Sequence, residues 1–378
     1  MLRRMNTRAV LRRLRGGEAG NGGTLESGPG EGRPDDEPAD GYTLTQLSRA
    51  TGLSRQTVEA VLGDLADRGL VSELAPAGGG TGRPARRYAF RADAGFVIGQ
   101  EIGAAHLRTV LADLNGTPVA DDRQELPEDL PAARRLARAR ARAVSLVDAR
   151  GLAPSAIRAA AAGTPGVVDR SGRVTRSTRV PGWTGLDLAG QMEGWFGCRG
   201  LAGNDANLAA VAEHWRGAAG HVQDVAYVLT GNRAGHGVLL GGRLHTGRAG
   251  TAGELGGFPL ADWEDSSLIL AREGRTAAEV FDSARRGEAA AGGIVDRLAR
   301  SVALGAAALV RVVDPELVVV GGVFAPAGET LLKPLRRHLD DFCLSAPEVA
   351  ASQFGEEAVA LGAVRVALEH VEQAELAG

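Results

Sequence analysis

Cysteine is nearly missing. The chain holds two, Cys198 and Cys343, far apart and without ligand-like spacing. That excludes a disulfide framework and a cysteine-built zinc site, and it fits a reducing cytosol. Lysine occurs once, as Lys333, while arginine is abundant, which reads as a compositional habit. Neither sign of charge dominates: 43 Lys and Arg stand against 46 Asp and Glu. Any nucleic-acid contact therefore has to be local. No uncharged apolar run reaches the roughly 18 residues of a membrane span. The opening stretch MLRRMNTRAVLRRLRGG lacks the apolar core of a signal peptide. A cytoplasmic protein with no membrane partner is the expectation.

What is present is globular. Of 378 residues, 44% are hydrophobic, ample for real cores. At roughly 100–200 residues per domain, two or three domains are expected. The stretch MNTRAVLRRLRGG predicts a short basic helix, with Val10, Leu11 and Leu14 on its apolar side. EAGNGGTLESGPGEGRPDDEPADG follows, rich in Gly, Pro, Glu and Asp with almost nothing to bury. Residues 17–40 are expected to be a disordered insertion.

Thr43–Val71 has an ordered pattern. Thr43 is placed to cap a helix whose apolar residues are Leu44, Leu47 and Ala50. Gly52 allows a tight turn, and Ser54 caps the next helix. There Val58, Val61, Leu62 and Leu65 form a stripe at helical spacing, and Gly69 ends it. LVSEL and RRYAF predict two short strands joined by a glycine-rich connection. Two helices across a short turn, then a β-hairpin, make a winged helix-turn-helix. Its second helix offers Ser54, Arg55, Gln56 and Thr57 to a major groove; Arg suits guanine and Gln suits adenine. The wing segment TGRPARRYAFR adds Arg83, Arg86 and Arg87 with no acid among them. Arg83 is suited to a minor groove or a phosphate. The basic start of the chain adds to this charge. A small helical bundle that binds protein instead is the competing reading of residues 1–92.

From about Gly95 the texture becomes α/β. FVIGQEIG and LRTVLADLNG predict strands, AARRLARARARAVSLVDARG a helix, and AIRAAAAGTPGVVDRSGRV a strand and loop. DVAYVLTGNRAGHGVLLGGRL predicts two strands about a glycine-rich turn. IVDRLARSVALGAAALVRVVDPELVVVGGV predicts a long helix and a buried strand. This alternation argues for α/β sheets.

In the same order stand AGTPGVVD, PGWTGLDL, GNDANLAA, GNRAGHGVLLGGRL, GTAGELGG, DPELVVVGGV and GEEAVALGA. Residues 93–378 thereby resemble the ROK family (repressors, open reading frames and kinases), and the head resembles that of its repressor branch. The resemblance implies an α/β fold with an N-terminal winged helix-turn-helix plus a two-lobed, actin-like ATPase (sugar-kinase-like) domain. A sugar would lie between the lobes.

A sugar kinase needs a base for the hydroxyl proton, backbone amides around the phosphates, and Mg²⁺. The family's Asp-x-Gly-x-Thr turn here reads Glu101-Ile102-Gly103-Ala104-Ala105. Its Gly-Thr-Gly turn reads Gly231-Asn232-Arg233, where a side chain crowds a phosphate turn. Asp205 matches the family's catalytic base, which also bonds sugar hydroxyls. Asn204, Gly166 and Glu254 match sugar contacts. The family's Glu-x-Gly-His reads Glu254-Leu255-Gly256-Gly257, and the cysteine cluster expected after it is absent. The resemblance, with these losses, implies no cofactor, no metal and no catalysis. Each residue has a plainer reading. Asn204 and Asp205 would cap a helix, Glu254 would be a surface carboxylate, Gly166 a turn, and His236 an ordinary loop histidine. Gly321 and Gly322 would be turn chemistry.

A DNA-binding regulator is therefore expected, in the repressor sense, controlled by a sugar or sugar derivative. Promoter DNA and a second copy of the chain are its expected partners, because paired recognition helices must match two half-sites. The alternatives left open are an active ATP-dependent sugar kinase with an added DNA-binding head, and a regulator that has lost sugar binding.

Overall fold

The computed structural model describes residues 2–16, 41–74, 86–231, 234–255 and 266–375. The expected insertion 17–40, Arg83, Asn232, Arg233 and Gly257 lie outside the described residues. The chain divides into two compact units. One comprises Met1–Phe96, Asp113–Thr117 and His370–Gly378; the other comprises Val97–Ala112 and Pro118–Glu369.

The first unit begins with α1 (Leu2–Leu14), β1 (Tyr42–Thr43), α2 (Leu44–Thr51) and α3 (Arg55–Asp67), and continues with β2 (Val71–Leu74) and β3 (Arg87–Phe90). Its core is Val10 from α1, Leu47 from α2, the α3 stripe Val58, Val61, Leu62 and Leu65, and Leu70 and Val71, all buried. α3 thus forms where its apolar residues recur every three to four positions. Thr43 caps α2 in a reciprocal box: its hydroxyl accepts from the Gln46 amide at 3.2 Å, and the Gln46 side chain accepts from the Thr43 amide at 2.8 Å. Gly52 ends α2 with a left-handed φ of 69°.

Three expectations about this unit change. The first helix begins at Leu2 and buries Thr7, Val10 and Leu14, whereas Leu11 is only half-buried. Ala50 is exposed, so α2 contributes only Leu47 to the buried core. A strand not foreseen, β1, pairs antiparallel with β3 (Tyr42 opposite Tyr88), giving the order β1-β3-β2.

The second unit holds two mixed sheets. Its first half runs β4 (Phe96–Ile102), β5 (His106–Asp113), β6 (Pro118–Glu125), α4 (Ala132–Ala149), β7 (Ile157–Thr164), β8 (Val167–Val168), β9 (Val174–Arg176), α5 (Leu188–Phe196) and β10 (Arg199–Asn204). Among the described residues its main sheet has the order β10-β7-β4-β5-β6, with β10 parallel to β7 and β6 antiparallel to β5. The second half runs α6 (Asp205–Arg216), β11 (Val225–Thr230), β12 (Gly235–Leu240), β13 (Arg243–Leu244), α7 (Ser266–Glu273), α8 (Ala277–Arg285), α9 (Ala289–Val313), β14 (Leu317–Gly322), α10 (Glu329–Phe342), β15 (Glu348–Ala351) and α11 (Ala358–Glu375). Its sheet has the order β13-β12-β11-β14-β15, with β14 parallel to both its neighbours.

The inner strands read as continuous apolar runs because both faces are covered. Ala159–Ala162 in β7 and Leu317–Val320 in β14 are buried throughout. α9 packs its Ala-rich face, with Leu298, Val302 and Leu309, over the second sheet. α6 is fixed at both ends. At its C-terminal end the buried Glu213 carboxylate accepts from the Ser352 hydroxyl and from the Gln353 and Phe354 amides at 3.3 and 3.2 Å. Along its side, α11 approaches so closely that a β-carbon on Gly362 would overlap the Leu208 carbonyl. These contacts set the position of Asp205 at the start of α6.

Candidate functional site

Two groups of residues were singled out by sequence, one in each unit. In the first unit, Ser54 is the N-cap of α3. Its hydroxyl accepts from the Thr57 amide at 3.1 Å and lies 2.8 Å from the Thr57 hydroxyl. Both hydroxyls therefore serve the helix start. Arg55 reaches back to α2, donating to the Thr45 hydroxyl at 2.6 Å. Gln56 and Glu59 are exposed on the next part of the helix. On the hairpin, Arg86 pairs with Glu73 across the strands at 3.3 Å, and Arg87 is half-buried on β3. The basic helix α1 also spends charge within its unit. Arg3 donates to Asp64 of α3 at 3.1 Å, Arg13 stacks 5.0 Å from the Tyr42 ring centre, and Arg15 pairs with Glu372 at 2.6 Å.

In the second unit the polar groups gather at the carboxyl ends of parallel strands, where open α/β sheets place ligands. β10 ends in Asn204, which caps α6: its side-chain oxygen accepts from the Asn207 amide at 3.0 Å. Its side-chain nitrogen donates to the Gly166 carbonyl at 3.1 Å. Asn204 therefore does cap a helix and also joins two of the predicted sugar residues. Gly166 has φ +117°, and a β-carbon there would strike the Arg176 carbonyl. Only glycine fits that turn.

Asp205 opens α6 and accepts from the Ala206 amide at 2.8 Å. Burial pushes its carboxyl up to about 7, against the pull of that amide, and the negative charges of Glu101 and Glu254 add to the rise. The structure thus brings Glu101 and Glu254 within electrostatic reach of Asp205. Burial raises the Glu254 carboxyl as well, and Arg176 acts in the opposite direction.

At the end of β4, Glu101 is differently placed. One carboxylate oxygen meets His106 Nε2 at 3.0 Å, and the other, buried, has no hydrogen-bond partner among the described residues. The hydrogen bond to Glu101 raises the His106 pKa despite partial burial. The turn between β4 and β5 is closed by a bond from the Gly103 amide to the His106 carbonyl at 3.0 Å. From α4 the fully buried Arg135 donates to the carbonyls of Gly103 and Ala104 at 2.6 and 2.7 Å, and to that of Pro127 at 3.1 Å. Thr164, at the end of β7, donates to the Ile102 carbonyl at 2.9 Å and accepts from the Trp183 indole at 2.8 Å.

The sequence did not single out His106, Arg135, Thr164 or Trp183. The signal for His106 was present: a titratable ring five residues past a strand-end carboxylate, across a turn. His236 is not a loop residue. It lies on β12, is buried, and burial lowers its pKa to about 4. Gly321 is explained without a ligand, because the buried Tyr227 hydroxyl occupies the space a β-carbon there would need. Among the described residues, no helix is long and apolar enough to cross a membrane.

Comparison with known proteins places these observations. The ROK family model matches residues 97–269 and 262–370. A glucokinase of Thermotoga maritima is 31% identical over 250 residues, which is 55% of this chain and 78% of that protein. A xylose repressor of Caldicellulosiruptor bescii is 23% identical over 369 residues, covering 86% of this chain and 91% of that protein. Among solved structures, a ROK family transcriptional regulator described as a homologue of the E. coli MLC protein is 18% identical. It covers 99% of each chain with a TM-score of 0.74, a likeness of fold. The fold is thus the sugar-kinase-like, actin-type body with a helix-turn-helix head. This chain belongs to the ROK family.

Proposed function

We propose that the protein is a DNA-binding transcriptional regulator, acting as a repressor, whose kinase-like body holds a sugar or sugar derivative without phosphorylating it. Residues 1–92 are its reading head and residues 93–378 its sensing body. In the head, Arg55 and Gln56 face base edges, Ser54 and Thr57 fix the helix start, and Arg83, Arg86 and Arg87 supply phosphate contacts from the wing. In the body, Gly166, Asn204, Asp205 and Glu254 hold sugar hydroxyls. The working form is a homodimer, whose two recognition helices meet half-sites about 34 Å apart. The sugar controls DNA binding to the extent that it binds the two conformational states with different affinity.

The observation that carries this reading is the His106–Glu101 pair. A carboxylate at the end of β4 already meets the His106 ring nitrogen at 3.0 Å, and that bond raises the histidine pKa, in a turn whose carbonyls are clamped by Arg135. Those residues do not fit a metal-bound triphosphate, while Asn204 and Asp205 at the end of β10, two strands away in the same sheet, stay arranged for hydroxyls. The relatives lend support in the same direction. The similarity to the xylose repressor runs through 86% of this chain, that to the glucokinase through 55%.

A second reading, a sugar kinase carrying an added head, draws on Asp205, whose raised pKa would suit a general base near neutral pH. One experiment separates the two. The protein is incubated with ATP, Mg²⁺ and a panel of hexoses, pentoses and amino sugars. No sugar phosphate is expected. Phosphorylation that disappears in Asp205→Asn would establish the kinase reading instead.

A further inference from the structure

α4 buries one face and exposes the other. The buried face is Arg135, Ala139, Ala143 and Val147, spaced four apart. It is pinned to β4, where the buried Gln100 side chain donates to the Ala139 carbonyl at 2.9 Å. The exposed positions from Ala133 to Ala141 hold only arginine and alanine: Ala133, Arg134, Ala137, Arg138, Arg140 and Ala141. Between Asp129 and Asp148 the chain has no acid. In a chain whose net charge is -3, this is a concentrated positive face.

Arg134, Arg138 and Arg140 have neither a hydrogen bond nor an ion pair among the described residues. The acids of the neighbouring strand β6 are engaged elsewhere. Asp121 pairs with Arg108 at 3.1 Å, Asp122 with Arg142 at 3.5 Å, and Glu125 with Arg123 at 2.5 Å. Other helices of the same unit match their arginines: Arg336 meets Glu329 at 2.7 Å, and Arg365 meets Glu369 at 3.1 Å. On α4, by contrast, Arg134 and Arg138 stand one turn apart and Arg142 continues the row. Like charges at that spacing destabilise a helix. A local rule broken with no compensation inside the fold points to compensation from outside it.

A protein partner would need a large side chain to bury, an aromatic or long aliphatic anchor. This face offers none. Leu136, Val144 and Leu146 are half-buried, and the exposed positions before Asp148 are arginine, alanine and Ser145. A phosphate backbone needs only positive charge, and alanines between the arginines let it come close. Arg134 and Arg140 are about 9 Å apart along the helix axis, a distance over which one strand of duplex DNA presents about two or three phosphates. We infer that the exposed face of α4 binds the phosphate backbone of duplex DNA, a contact additional to those of the head and indifferent to base sequence. This rests on the reading that the protein binds DNA.

The test is an anisotropy titration of the full chain against a duplex of about 60 base pairs from upstream of its own gene, repeated from about 50 to 200 mM salt. Each phosphate contact contributes about 0.9 to the slope of log Kd against log salt. In the triple variant Arg134→Gln, Arg138→Gln, Arg140→Gln the slope should therefore be shallower by at least about 2, and binding at the lowest salt should weaken about tenfold or more. The loss should be the same on base-substituted duplexes, because a backbone contact carries no sequence information. Replacing the same three arginines by lysine keeps the charge and should keep most of the slope. The melting temperature of the glutamine variant should not fall, since a like-charge row is removed. A slope unchanged in the glutamine variant, the result an acidic protein as occupant would give, would overturn the inference and leave DNA binding by the head standing. So would a slope lost equally in the lysine variant. Wild-type protein that binds no duplex at the lowest salt would overturn both.

Discussion

At the carboxyl end of β10, Asp205 meets its own helix start and, among the described residues, two further negative charges, and its carboxyl rises to about 7. At the carboxyl end of β4, Glu101 holds His106 at 3.0 Å. Both carboxylates stand at strand ends of one sheet. The difference, among the described residues, is a histidine supplied from within the chain. A carboxylate left without one keeps an appetite for donors such as sugar hydroxyls. A carboxylate that already has one offers little to a metal-bound phosphate.

The comparison can be broken most severely at Asp205. Asp205→Asn should weaken binding of any sugar that the cleft accepts by about 100-fold, since a charge-assisted acceptor is lost. The same change should stabilise the fold at alkaline pH. The folded-state pKa, about 7, lies above the ordinary 3.8, so the protonated acid is favoured by folding. That contribution is complete below about pH 4 and is lost as pH rises through about 7. Asparagine carries no such loss. Melting temperatures at pH 5 and pH 8 should show the variant's advantage growing with pH. A variant less stable than the wild type at pH 8 would contradict the assignment of a raised carboxyl pKa at Asp205.

At the other end of the comparison, His106→Ala leaves Glu101 buried without its partner, at a cost of about 1–3 kcal/mol. The sign with pH is the same as at Asp205. The His106 pKa is raised from 6.5 by its bond to Glu101, so its contribution is full below about 6.5 and is lost as pH rises through the elevated value. Denaturant titrations of the two proteins should differ most near pH 6 and draw together as pH rises through the raised value. A constant difference would mean that the histidine acts by packing alone.

The same contrast between engaged and open polar groups reaches the head, with smaller effects. Arg86 is paired with Glu73 on an exposed hairpin, so Arg86→Ala should change stability by about 1 kcal/mol or less. Gln56 is exposed, and Gln56→Ala should leave the melting temperature essentially unchanged while altering which operator variants bind best. Competition binding across a small library of operator substitutions reads this directly. An unchanged preference would remove Gln56 from base reading.

Periodic elements were legible in the sequence and partners were not. The α3 stripe and the strands holding FVIGQEIG, LRTVLADLNG and DPELVVVGGV announced themselves because burial on one or both faces imposes a pattern. β1 went unseen because two residues have no period; its existence depends on β3, more than 40 residues away in sequence. β6, PVADDRQE, is polar on an edge and carries no apolar signature. Ala50 was assigned to a buried face by spacing alone, and a small side chain is tolerated equally well in water. Within the site, the residue types at Gly166, Asn204, Asp205 and Glu254 could be matched one by one. The bond from Asn204 to Gly166, the His106–Glu101 pair and the Arg135 clamp are long-range pairings, which no local pattern encodes.

The central claim is that a ligand in the body governs DNA binding by the head. Its most direct test is a titration of the protein against the duplex upstream of its own gene, at fixed salt, with and without each member of a neutral and anionic sugar panel. At least one sugar should shift the apparent Kd about tenfold or more, and Asp205→Asn should bind the same duplex without responding to that sugar. A Kd that no sugar changes, or a response that survives in Asp205→Asn, would contradict the account.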